Sequence, residues 1–220
     1  MTAARVPETE RTTVGRDHVE AYDRMQAALR DKGWLETPAL LEAGIATGRA
    51  LEVGSGPGYL GLEWLRCTRA TELVGLDTSP EMLAVAERHA AELDLAGRAR
   101  YVLGSATDVP FEDGAFDAVF SSRSLHEWSE PATAFAELWR VLGPGGRLRV
   151  SDLRRDVSPK ARSFLEQRMT SAVVLDGLHA SIAAAYTAAE VRALLAAAGL
   201  VGCSVAETPI GLRVTGGKSR

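Results

Sequence analysis

Apolar positions along the chain recur with two spacings, and these divide it into helices and strands. Residues 19–32 place Tyr22, Met25, Gln26 and Leu29 at i, i+3, i+4 and i+7, which predicts one helix, with Gly33 able to close it. Thr37-Pro38 supplies a cap and a first-turn proline for a second helix ending near Gly44 or Gly48. Short runs at 49–53, 72–77, 100–103, 115–121 and 147–152 predict strands. Between them, helices are predicted over 59–66, after the start signal Thr78-Ser79-Pro80-Glu81, and after Pro131. The second of these buries Met82, Leu83, Ala86, Ala90 and Leu93. The third buries Phe135, Leu138, Trp139 and Leu142, and Gly143-Pro144-Gly145-Gly146 breaks it before the fifth strand. Thr187 and Glu190 form a capping box for a last helix, with Val191, Leu194, Leu195 and Ala198 inward. Residues 201–206 and 211–214 then read as a hairpin around Pro209.

Strands that alternate with helices predict an α/β fold with a mostly parallel sheet covered on both faces. Five strands followed by two late ones give a seven-stranded sheet with a C-terminal β-hairpin. Residues 156–186 carry no strand signal and read as an inserted helical cap. The organisation expected is a frayed tail over 1–16 and one domain over 17–220, with cap elements at 17–48 and 156–186. In a doubly wound sheet, ligands bind beyond the carboxyl ends of the strands. The loops at 54–58, 77–79, 104–108 and 121–128 would share that edge.

Composition narrows the partners. The chain has 220 residues, 46% of them apolar and 25% charged, which suits one soluble domain. Its net charge of −4 gives no electrostatic case for nucleic acid or an anionic membrane. Cys67 and Cys203 stand apart from each other and from any histidine at metal-ligand spacing, so no metal is expected. Two isolated cysteines, no apolar signal region and no apolar run of about 20 residues fit a cytoplasmic location. A small-molecule partner is expected, and nothing in the chain argues against a homodimer.

The chemistry centres on Gly54-Ser55-Gly56-Pro57-Gly58. Glycines at alternate positions before a helix make a backbone cradle with free N–H groups. Nineteen residues after Gly58 comes Asp77, at a strand end, where a carboxylate can accept from both hydroxyls of a ribose. Two ligands suit this arrangement. Residues 56–61 fit G-x-G-x-x-G, the dinucleotide fingerprint. Against that, Glu52 precedes the loop, where an acid can hold a cationic amino group and gives a pyrophosphate no attraction. The loop also begins at Gly54, earlier than the dinucleotide match requires.

The stretches LEVGSGPGYLG, VGLDTSPEML, GSATDVPFEDGAFDAVFSSRSLHEW and RVLGPGGRLRVSDLRRD resemble, in that order, class I S-adenosylmethionine-dependent methyltransferases of the small-molecule type. The resemblance covers about residues 50–155 and the late helix and hairpin. It implies a Rossmann-like doubly wound fold and S-adenosyl-L-methionine as cofactor. It also implies that Glu52 and the loop residues Gly54, Ser55, Gly56 and Gly58 line the methionine part, that Asp77 holds the ribose, and that Thr78 and Met82 flank ribose and adenine. The family's third-strand pattern is Gly-Asp-Ala; here Gly104-Ser105-Ala106 stands in its place, so Ser105 offers one uncharged contact and Ala106 its N–H. Ser121 would lie near the sulfur. Tyr22 resembles the N-terminal tyrosine that reaches the cofactor carboxylate, and is equally readable as a core aromatic.

Methyl transfer is an in-line displacement, so the protein mainly positions the acceptor and excludes water. A base is needed only for an acceptor that holds its proton tightly. His126 follows the fourth strand and is the candidate base, with packing as the alternative. Arg123 is a candidate for an acceptor carboxylate. Asp152 and Arg154 follow the fifth strand, and His179 and Tyr186 lie in the cap. Three other functions fit parts of the pattern: the same cofactor with aminobutyrate-chain transfer or cyclisation, an NAD(P)-dependent oxidoreductase, and a non-catalytic interaction module.

Overall fold

A computed structural model describes residues 4–8, 16–68, 72–169, 171–200 and 202–220, without the side chains of 16–18. Helices α1 (Arg16–Asp31) and α2 (Thr37–Glu42) precede strand β1 (Arg49–Val53). Helix α3 (Tyr59–Cys67), strand β2 (Glu72–Asp77), helix α4 (Pro80–Glu92) and strand β3 (Ala99–Leu103) follow. Strand β4 (Phe116–Ser122) leads through a 3-10 turn, Leu125–Glu127, to helix α5 (Pro131–Val141) and strand β5 (Leu142–Leu153). Helices α6 (Pro159–Glu166), α7 (Ala172–Ala184) and α8 (Ala188–Ala197) precede the hairpin of β6 (Ser204–Glu207) and β7 (Gly211–Gly217).

The strands form one sheet in the order β3-β2-β1-β4-β5-β7-β6. The first five run parallel, and β7 joins β5 antiparallel. Period-2 alternation assigns the two faces. Leu51, Val53, Val74, Leu76 and Val119 share a core with Phe135 and Leu138 of α5 and Val191 and Leu195 of α8. Ala50, Leu73, Ala118 and Phe120 share another with Leu62, Trp64 and Leu65 of α3 and Ala90 of α4. Trp64 is fully buried, and its Nε1–H donates to the Ile45 carbonyl at 2.8 Å, which ties α3 to the connection ahead of β1. Strand order reverses between β1 and β4, so a crevice opens at the carboxyl end of β1.

Three local expectations change. The Gly143–Gly146 stretch does not separate helix from strand, because β5 begins at Leu142, the residue after α5. An advance from Phe116 to Ala118 on β4 matches one from Leu142 to Arg147 on β5, so the glycine-rich stretch bulges within the ladder. Leu93 is exposed rather than inward, because it caps α4 and Leu95 turns into the core instead. Tail residues 4–8 lie against the domain: Val6 N–H donates to the Ala183 carbonyl at 3.0 Å, and Arg5 stacks on Tyr186. Residues 1–3 and 9–15 of that tail, and Val201 of the hairpin reading, lie outside the described residues. The segment read as a cap holds α6 and α7, and no single helix among the described residues is long and apolar enough to cross a membrane.

Candidate active site

The glycine loop leaves β1 with Gly54, Gly56 and Gly58 at φ of 69°, 50° and 83°. Gly54 and Ser55 N–H groups both donate to the Leu76 carbonyl, at 2.8 and 3.2 Å, which folds the loop back over β2. A Cβ at Gly54 would sit 2.6 Å from the Ser124 side chain, so no larger residue fits this turn. Asp77 braces the loop from the next strand. Its Oδ2 accepts from Gly56 N–H at 2.7 Å and its Oδ1 from Ser79 N–H at 2.9 Å. Burial raises the Asp77 pKa, and the N–H bonds from Ser79, Gly56 and Thr78 oppose that rise. A carboxylate has about four acceptor sites, and with these three N–H groups in place room for one ribose hydroxyl remains.

Glu52 is buried on the α3 face of β1, against Gly61. Its Oε2 has no hydrogen-bond partner. Burial, followed by the Asp77 charge and against the Gly61 N–H, pushes its pKa up to about 8. Glu52, Gly54, Ser55 and Gly56 line one wall of an open cleft. The other wall comes from α1 and the residues after it: Tyr22, Gln26, Leu29, Trp34 and Glu36. Arg123 lines the same cleft with a left-handed backbone, φ 59°, held by its N–H bond to the Ser151 carbonyl at 2.8 Å. Tyr22 packs over Gly56, and its hydroxyl accepts from Gln26 at 2.9 Å. Tyr22 therefore belongs to the cleft, not to the interior alone.

The remaining candidates divide. Met82 is buried, with its N–H bonded to Ser79 Oγ at 3.2 Å, whereas Thr78 is exposed beside Asp77. Ser105 turns its hydroxyl onto its own loop: Oγ lies 2.8 Å from Thr107 Oγ1 and accepts from Thr107 N–H at 3.2 Å. Ala106 is buried in the core. Ser121 is also buried, with its hydroxyl 2.7 Å from that of Ser124, which accepts in turn from Trp128 Nε1–H at 3.2 Å. That network fixes the loop after β4 from beneath.

His126 is buried beside Asp152. Its Nδ1 lies 2.9 and 3.0 Å from the two carboxylate oxygens, and its backbone N–H donates to Oδ2 at 2.7 Å. Its Nε2 lies 3.5 Å from Glu8 and 3.8 Å from Glu127. Burial opposes the imidazolium, but Asp152 and then the two glutamates outweigh it and raise the pKa to about 9. The ring therefore carries its proton at neutral pH, which is the wrong state for a base. Sequence reasoning did not single out Glu36, whose Oε2 accepts from Ser151 at 2.6 Å and Arg149 at 3.0 Å, or Tyr101 beneath the loop. Neither carries a motif; cross-strand register alone brings Tyr101 to the site.

With this geometry, comparison with known proteins becomes specific. Residues 51–150 match the family described as "Methyltransferase domain". Over those residues the chain is similar to a methyltransferase domain. A demethylmenaquinone methyltransferase of Deinococcus radiodurans is 33% identical over 130 residues, covering 58% of this chain and 53% of that one. An erythromycin 3''-O-methyltransferase of Saccharopolyspora erythraea is 34% identical over 112 residues, covering 50% and 37%. The chain thus spans about half the length, or less, of these curated relatives. The crystal structure of an S-adenosylmethionine-dependent methyltransferase from Aquifex aeolicus superposes with a TM-score of 0.67 at 19% identity, over 92% of this chain and 98% of that one. That likeness shows the fold, over nine-tenths of this chain.

Proposed function

We propose that the chain transfers a methyl group from S-adenosylmethionine to a small molecule held in the cleft between α1 and the loop after β4. One observation carries the cofactor choice: Glu52, buried at the loop with Oε2 unpartnered, faces a glycine cradle that Asp77 braces from the next strand. A buried acid favours a cationic amino group and repels a pyrophosphate. The names of the relatives above, a demethylmenaquinone methyltransferase and an erythromycin 3''-O-methyltransferase, support a small acceptor.

When bound, the cofactor supplies an activated methyl group. Glu52 and the loop would hold its amino-acid end and Asp77 its ribose. Tyr22 and Arg123, on the facing wall, orient the acceptor or the cofactor carboxylate and shield the reacting atoms from water. His126 serves as a brace, because Asp152 holds both its ring and its backbone N–H. Arg5 extends that brace by donating to the carbonyls of His126 at 2.9 Å and Ala184 at 2.6 Å, which keeps α7 over the same edge.

Incubation with methyl-labelled S-adenosylmethionine and a metabolite extract tests the reading. We expect label in a small organic molecule and stoichiometric S-adenosylhomocysteine. Release of methylthioadenosine instead would overturn methyl transfer in favour of chemistry on the aminobutyrate chain.

A further inference from the structure

Glu52, Gly75 and Tyr101 occupy one row across β1, β2 and β3. Glu52 and Tyr101 therefore project to the same face, and Gly75 between them has no side chain. Tyr101 fills that gap. A Cβ at Gly75 would lie 2.5 Å from Tyr101 Cδ1 and 2.9 Å from Ser55 Oγ. A Cβ at Gly58 would lie 2.7 Å from the Tyr101 hydroxyl. Two glycines thus let an aromatic hydroxyl reach beneath the loop.

Glu52 Oε2, Ser55 Oγ and Tyr101 Oη are all buried, and all lack a hydrogen-bond partner. Folded proteins leave few such atoms, so a cluster of them points to a ligand. The titratable group acting on Glu52 is Asp77, from the end of β2, and Glu52 in turn acts on Tyr101 of β3. Helix α3 offers only the Gly61 N–H, β4 places the apolar Phe120 beside Glu52, and α4 brings the acid Glu87 toward Tyr101. No cation is among these groups. Burial and then the Glu52 charge raise the Tyr101 pKa, so this hydroxyl stays a donor.

We propose that Glu52, Ser55 and Tyr101 form a proton-exchanging cation site. In the ligand-free protein Glu52 is uncharged. Entry of the ammonium group of the cofactor's amino-acid part makes Glu52 release its proton to solvent, and the Ser55 and Tyr101 hydroxyls position the resulting carboxylate. The inference rests on the cofactor reading above and adds to it a coupling between binding and pH. Affinity rises as pH rises toward about 8, because binding selects the deprotonated acid.

Calorimetric titration at pH 6.5, in two buffers of different ionisation enthalpy, reads the proton directly. At that pH an α-amino group of pKa about 7.7–8.0 already carries its charge, so only the protein has a proton to lose. S-adenosylmethionine should release about one proton per molecule bound. Methylthioadenosine, which lacks the amino acid, should release none. Glu52→Gln should bind S-adenosylmethionine about tenfold more weakly with almost no proton release. Tyr101→Phe should weaken S-adenosylmethionine about fivefold and leave methylthioadenosine unchanged, a split that mere loosening of the fold does not produce. No proton release from the wild type, or equal release from Glu52→Gln, overturns the proposal and leaves the cofactor assignment standing. Failure of both nucleosides to bind overturns the assignment and this site together.

Discussion

Glu52 and Asp152 are both buried carboxylates near the ends of parallel strands, yet their surroundings are opposite. Asp152 accepts from the His126 N–H and the Leu153 N–H, each at 2.7 Å, and lies against the His126 ring. Glu52 meets no cation, and one of its oxygens has no partner. A buried acid with its counter-charge in place is complete, and it organises structure. A buried acid without one is complete only when something else arrives. The contrast separates residues that build the edge from residues that bind there, and it places His126 on the building side.

The largest expected effect breaks the complete pair. Asp152→Ala strands the His126 charge and should destabilise the protein by about 3–5 kcal/mol in denaturant unfolding. A loss below about 1 kcal/mol would mean that the pair contributes no brace. Next, Asp77→Ala removes the acceptor of the Gly56 and Ser79 N–H groups and should weaken S-adenosylmethionine by about 1–3 kcal/mol. An unchanged dissociation constant would show the acid to be misassigned.

The two buried groups also predict the pH profile of the ligand-free protein. His126 is raised in the folded state to about 9, so its stabilisation is fully present below about 6.5 and fades as pH rises toward 9. Glu52 is raised to about 8, so the folded state is increasingly disfavoured between about 4.5 and 8. The melting temperature should therefore fall from pH 6 to pH 9. Glu52→Gln should flatten the slope between about pH 4.5 and 8, with a gain in stability that grows across that range to about 1–3 kcal/mol and persists above it, leaving only the His126 slope there. An identical profile in that variant would show that Glu52 ionises normally. The smallest effect concerns the adenine end, where Ser105 satisfies itself on Thr107. Ser105→Ala should change S-adenosylmethionine affinity by less than about 0.5 kcal/mol. A tenfold loss would show that the hydroxyl leaves its turn to bind the base.

Most of the sheet was legible from the chain because alternation and helical spacing are local. The capping box at Thr187 and Glu190 formed as its spacing requires, with both of its bonds present. The bulge at residues 143–146 was not legible, since glycine and proline break a pattern without saying whether the ladder continues across them. The roles of Glu52 and Asp77 could be proposed from order and spacing, and the structure places both beneath the loop. Ser121 looked available and instead bonds Ser124, a partner close in sequence whose role depends on Trp128 swinging back. Tyr101 gave no signal, because its place depends on register with Gly75, and parallel register is not written in either strand alone.

The central claim is the identity of the cofactor, and direct calorimetric titration of the wild-type protein tests it most directly. With S-adenosylmethionine and NADH titrated separately at pH 7.5, the account predicts micromolar binding of the sulfonium and none of the dinucleotide. Micromolar binding of NADH with no response to S-adenosylmethionine would contradict it.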